Sequence, residues 1–135
     1  MRPARAAFTC AALVSGCSPG GPDPTTVPAG LWGGPHVALE VGAAEARLEL
    51  DCAHGTIDEP LRLDGDGRFD AGGVFVPERG GPVRPDEVPD LRPARYRGSI
   101  EGRRMRLEIA LVDGAGSLGA YQLALGWTPR LFKCL

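Results

Sequence analysis

The fold is decided by residues 48–70, LELDCAHGTIDEPLRLDGDGRFD. Leu48, Leu50 and Cys52 alternate with Glu49 and Asp51, the period-2 pattern of a half-buried strand. Ala53-His54-Gly55 reads as the next turn. Ile57, Leu61 and Leu63 then share an apolar face, with Pro60 marking an edge or a bulge. Asp64-Gly65-Asp66-Gly67 is a hairpin turn, because Asp-Gly tolerates positive φ. Phe69 starts a further alternating run. Nothing in the stretch has a helical period, so it reads as the centre of a small antiparallel sheet.

The same pattern extends in both directions. Upstream, Gly30-Leu31-Trp32-Gly33-Gly34 opens the domain. Val37, Leu39 and Val41 share one face, Gly42–Glu45 turns, and Ala46 leads into the quoted stretch. Downstream, Phe69, Ala71, Gly73 and Phe75 share a face, with Gly72-Gly73 expected as a bulge or bend. Tyr96, Gly98 and Ile100 form the next inward set, followed by Met105, Leu107, Ile109 and Leu111. Asp113–Ser117 turns, Tyr121, Leu123 and Leu125 make a seventh strand, and Arg130–Cys134 a short eighth. The expected fold is all-β, an up-and-down antiparallel meander of about eight strands closing into a barrel or sandwich, which removes exposed edges. Composition agrees: Gly 20 and Pro 13 suit many turns, and 43% hydrophobic residues are enough for a core.

One segment breaks the pattern. Pro77–Pro93, PERGGPVRPDEVPDLRP, has five prolines and no period. Loops longer than about 12–15 residues are uncommon in compact domains and often carry function. Its charged residues Arg79, Arg84, Asp86 and Glu87 are the candidate contact residues.

The chain begins MRPARAAFTCAALVSGC. Arg2 and Arg5 precede a short apolar run, Ala6–Val14, too short for the ~20 residues that span a bilayer. This is a signal-peptide layout. Val14-Ser15-Gly16-Cys17 resembles the lipobox of bacterial lipoproteins. The resemblance implies removal of residues 1–16 and lipidation of Cys17, with two or three acyl chains giving a firm anchor. Residues 17–29 then form a lipidated, disordered linker reaching at most roughly 35 Å, and residues 30–135 the β domain. The implied location is the bacterial cell envelope, on the periplasmic face. By resemblance to enterobacterial lipoproteins, Ser18 after the cysteine favours the outer membrane over the inner. An ordinary secretory signal cut elsewhere is the alternative.

Of four cysteines, Cys10 leaves with the signal and Cys17 carries lipid. Cys52 and Cys134 remain as an even pair in an oxidising compartment, so a disulfide is expected. It would tie the second strand to the eighth. Cys52 with His54 as metal ligands is the alternative, but no second paired motif follows. No metal and no cofactor are expected.

Catalytic signatures are missing: there is no Gly-x-Ser-x-Gly, no HExxH and no phosphate loop. Asp64, Asp66 and Asp70 echo a calcium loop but lack its closing acid. Asp58 and Glu59, adjacent on a strand, point to opposite faces. His36 and His54 have no partner motif. A net charge of −2 argues against a nucleic-acid reader. Yet residues 91–134 are rich in arginine, which admits an anionic envelope component, such as lipopolysaccharide phosphate, or a protein as partner.

The blocks DCAHGTIDEPLRLDGDGRFD, GGPVRP, ARYRGSIEG and RLFKC resemble a group of small uncharacterised bacterial lipoproteins. That resemblance implies class and address, not mechanism. Gly30-x-Trp32 with Arg130 also resembles the lipocalin pattern, in which an arginine packs over the tryptophan; a plain core tryptophan is the alternative. The functional expectation is a lipid-anchored envelope protein acting as a non-catalytic binding or structural module. The alternatives are an inhibitor of an envelope hydrolase and, third, a metal-dependent enzyme using His54 and nearby acids.

Overall fold

The structure, a computed structural model, describes residues 25–114 and 116–134. Eight antiparallel strands follow one another in chain order and close into a barrel. They are β1 (Gly30–Gly34), β2 (Val37–Val41), β3 (Ala46–Leu50), β4 (Ala53–Ile57), β5 (Arg68–Pro77), β6 (Arg92–Glu101), β7 (Arg104–Leu111) and β8 (Gly116–Leu125). The described residues contain no helix. Cys17 and the expected signal segment lie outside the described residues.

Strand parity sets the interior. Leu39, Leu48, Ile57, Tyr96, Met105, Leu107 and Ile109 are all fully buried, and Phe69, Ala71, Ala94 and Leu123 complete the same core. Eight strands leave an interior just wide enough for side chains to fill. Trp32 is a core residue with no exposure, and its Nε1–H donates to Pro28 O at 3.0 Å. Arg130 is instead held on the outside, through its backbone bridge to Pro35.

The meander puts alternate connections at opposite ends of the barrel. The upper rim carries the β1–β2 and β3–β4 turns, the β5–β6 loop and the β7–β8 turn. The lower rim carries the β2–β3, β4–β5 and β6–β7 connections, and there the chain enters. The expected linker ends earlier than residue 29. Thr26 bridges Arg62, Val27 N–H donates to Leu61 O at 2.9 Å, and Val27 is buried in the core cluster.

Three expected boundaries shift. The turn after β3 is Asp51-Cys52 alone, because Leu50 pairs with Ala53. Hence Ala53-His54-Gly55 is strand, and residues 58–67 are connection rather than a strand over Ile57–Leu63. No bulge occurs at Gly72-Gly73, where β5 keeps register with β6. The irregularity lies at Ile109/Ala110 against β8. Arg130–Cys134 forms no strand. The barrel is closed by β8 on β1, with Trp32 opposite Leu125 and Gly33 opposite Ala124.

The β1–β8 seam explains the glycines of GLWGG. A Cβ on Gly34 would overlap Gln122 O, and one on Gly33 would overlap Trp127 O. Only glycine lets the strands and the following tail approach this closely. The disulfide Cys52–Cys134 is present, with Cα atoms 5.2 Å apart. It joins the β3–β4 turn to the C-terminal tail, not one strand to another, so hydrogen bonds rather than sulfur close the barrel.

Candidate functional site: the upper rim

After β8 the chain turns back along β1 and crosses the upper rim. His36 N–H donates to Arg130 O at 2.7 Å, and Arg130 N–H to Gly34 O at 3.2 Å. The β3–β4 turn receives the tail's end: Phe132 N–H donates to Asp51 Oδ1 at 2.7 Å, and Cys134 N–H to Asp51 O at 3.1 Å. Lys133 Nζ donates to Leu50 O at 2.9 Å, to Glu49 at 3.0 Å and to Glu78 at 2.6 Å.

Two histidine–carboxylate pairs flank this clamp. His36 Nδ1 lies 2.6 Å from Asp51 Oδ2, and its ring stands 5.7 Å from that of Phe132. The hydrogen bond from Phe132 N–H, with help from His36, holds the Asp51 carboxyl below its ordinary value. An ionised Asp51 accepts, so His36 Nδ1 carries the proton. His36 also has φ 65°, a left-handed conformation costly for a non-glycine residue; the tail's hydrogen bond to its N–H holds it there. His54 Nδ1 lies 2.9 Å from Glu78 Oε1. Lys133 lowers the Glu78 carboxyl most, and His54 adds to that. Burial pulls the Lys133 ammonium down, but its bonds to Glu78 and Glu49 outweigh that and hold it above 10.5.

These pairs are committed to structure. Asp51 is occupied by the tail backbone, and Glu78 by Lys133. The two histidines sit in separate pairs and do not converge. Among the described residues, no group of three or more His, Cys, Asp or Glu side chains is placed to hold a metal ion. Asp64 caps its own turn, accepting Asp66 N–H at 2.8 Å and Arg68 N–H at 3.0 Å through Oδ1.

The β5–β6 loop rises beside His54 and Glu78. Its root is pinned by Glu78 N–H to Cys52 O at 2.8 Å. Of the charged residues singled out by sequence, Arg79 pairs with Glu87, and Arg84 N–H reaches Glu87 Oε2 at 3.4 Å. Asp86 is exposed in the turn between them. Those charges brace the loop from within. What the loop offers outward is apolar: Val83, Val88 and Leu91 are 78%, 85% and 63% exposed. Val112 of the β7–β8 turn and Phe132 of the tail add exposed side chains on the same rim. Between loop and barrel runs a groove of about 480 Å³ lined by His54, Val76, Glu78, Val83 and Val88.

Sequence reasoning missed this apolar rim, because valines scattered among prolines show no period. The chain matches no protein-family model, no curated protein and no solved structure.

Proposed function

We infer that the protein is a non-catalytic binding module of the bacterial envelope, held by lipid on Cys17, that grips a protein partner with its upper rim. One observation carries the reading: the interior is filled by side chains, while exposed large apolar residues gather on the upper rim. A filled barrel leaves no calyx for a small ligand. Exposed apolar side chains on a loop braced by its own ion pair form a pre-ordered contact surface.

The outward strand positions carry Arg47, Glu49, Arg95, Arg97, Arg104, Arg106 and Glu108, the reverse of the apolar outer band of a membrane barrel. No helix among the described residues is long and apolar enough to cross a membrane. A charged outer wall fits a barrel that stands outside the bilayer, as a lipid-tethered domain would. The chain enters at the lower rim, so an anchor there turns the upper rim away from the bilayer.

Within this reading, a projecting loop on a filled barrel favours inhibition of an envelope hydrolase. The test compares the wild-type chain with Val83→Asp/Val88→Asp, both fully folded by circular dichroism. Cross-linking in envelope extract captures one defined protein with the wild type and not with the variant. Activity of the purified partner, if a hydrolase, falls on adding the wild type alone. Identical capture by both proteins would remove the rim as the contact surface. Mass spectrometry of membrane fractions reads the acyl chains on Cys17, and an unmodified, soluble chain would sink the anchor.

A further inference from the structure

The lower part of the barrel wall carries a second, chemically different feature. Six of the thirteen cations among the described residues are bridged. Arg47 meets Glu45, Arg79 meets Glu87, Arg92 meets Asp90, Arg95 and Arg97 share Asp70, and Lys133 meets Glu49 and Glu78. Among the described residues, Arg62, Arg68, Arg84, Arg103, Arg104, Arg106 and Arg130 form no salt bridge; Arg84 and Arg130 belong to the upper rim, and the other five lie toward the lower rim. Two of them stand in one row. Arg68 of β5 is opposite Ser99 of β6, and Ser99 is opposite Arg106 of β7. All three are on the outward face, so two guanidinium groups flank one hydroxyl.

Cross-strand neighbours have Cβ atoms about 5 Å apart, which puts the two arginine Cβ atoms roughly 10 Å apart, a span two long side chains close around one tetrahedral anion. Like charges so near each other are unfavourable without an anion between them. Among the described residues, no acid forms a salt bridge with Arg68 or Arg106. Asp64 Oδ1 accepts two backbone N–H groups and faces Arg68 only through a longer-range attraction, and Asp70 bridges Arg95 and Arg97. Glu108 stands opposite Arg97 on the same outward face. Arg68, Arg97, Gly98, Ser99 and Arg106 line a groove of about 260 Å³, with Glu108 at its side, so three guanidinium groups face one carboxylate. Arg68, Arg97 and Gly98 also line a second groove of about 540 Å³ that reaches Arg62 and Leu63. Arg62 and Leu63 are where the chain enters, bonded to Thr26 and Thr25.

We propose that Arg68, Ser99 and Arg106 bind the phosphate of an anionic lipid headgroup in the membrane to which the chain is tethered. The proposal rests on the lipid-anchor part of the proposed function for its choice of lipid over free phosphate. Seven residues separate Cys17 from Thr25, and the eight steps between them span at most about 28 Å, so the anchor keeps this wall at high effective concentration beside the headgroups. Arginine forks match phosphate oxygens in pairs. The result is a second, reversible foothold that sets how the barrel stands on the bilayer.

The test uses the full chain with Cys17→Ser, so that no acyl chain contributes. Its binding is measured to phosphatidylethanolamine vesicles with and without phosphatidylglycerol. Phosphatidylglycerol should raise the binding, and Arg68→Gln/Arg106→Gln should then weaken it about thirty-fold, at the usual effect of each arginine near an anionic surface. Arg79→Gln/Arg84→Gln, which removes the same charge from the upper rim, should change it less than about twofold on the same scale. Equal loss in both double variants would reduce the effect to net charge and overturn the site. No preference for phosphatidylglycerol would overturn the lipid. Full displacement by millimolar inorganic phosphate would make it a free-anion site instead. A wild-type chain recovered from membranes without acyl chains on Cys17 would refute the anchor, while phosphatidylglycerol-dependent binding of the Cys17→Ser chain would leave the arginine site standing.

Discussion

Removing the disulfide with Cys52→Ser/Cys134→Ser should destabilise the domain heavily yet leave the barrel closed. The bond spans 82 residues of chain. In the chain-entropy view, a crosslink across a loop of that size restricts the unfolded ensemble by up to about 4.5 kcal/mol. Both cysteines are exposed, so the serines bury no unpaired hydroxyl and leave no cavity, and lost crosslinking dominates. With a urea slope near 1.5 kcal/mol per M for a domain this size, the unfolding midpoint should fall by about 2–3 M. The barrel should survive in native buffer, because β1 is held to β8 by its own pairs and by Gly126 N–H to Leu31 O at 2.7 Å. The readout is Trp32 emission in a Trp127→Phe background, since Trp32 is buried and Trp127 is not. A red-shifted Trp32 without denaturant would show that sulfur closes the barrel after all. An unchanged midpoint would show that the crosslink constrains nothing.

Three further outcomes follow from named contacts. Gly34→Ala should cost about 1–3 kcal/mol by forcing a methyl onto Gln122 O, seen as faster amide exchange along β1 and β8 with β4–β6 unaffected. Tyr96→Phe should cost about 1–2 kcal/mol in urea unfolding, since the buried hydroxyl donates to Val74 O at 2.7 Å. In the wild type, burial and then the charge of Asp58 keep that phenol protonated well above 10.0, so Tyr96→Phe should remove the late-ionising part of an ultraviolet titration. Acid should loosen the tail. Asp51 and Glu78 are held below their ordinary 3.8 and 4.5, so unfolding takes up protons as the pH approaches those values. Their contribution is therefore complete above about 4.5 and is lost as pH falls through the lower folded values. Thermal midpoints should be level from neutral pH to about 5 and then decline; Asp51→Asn/Glu78→Gln should flatten the decline, and an unflattened curve would place the acid sensitivity elsewhere.

Much of this was legible in the residues themselves. Period-2 parity named the inward set, from Leu39 and Leu48 to Tyr96, Leu107 and Ile109, because a side chain's face depends only on its place along its own strand. Asp64-Gly65-Asp66-Gly67 was read as a turn from local chemistry, and Asp64 does cap it. Cysteine bookkeeping paired Cys52 with Cys134 by setting Cys10 and Cys17 aside with the expected signal segment and lipid site, and the bond is present. His54 was assigned to a turn and left without a role. The structure puts it on β4 opposite Val76, steadying Glu78 at the foot of the loop.

By itself, then, the sequence determined an all-β class, the face of most inward residues and the cysteine pair, all properties of short segments or of counting. Only the tertiary structure decided where the sheet closes, what the tail does and which exposed residues gather. The seam falls between β1 and β8 because Gly33 and Gly34 leave room for backbone from the far end of the chain. The valines of the loop share one rim with Phe132, and Arg68 meets Ser99 and Arg106 in one row, through pairings between residues tens of positions apart. Such pairings depend on strand order and register across the whole barrel, and no local pattern encodes them.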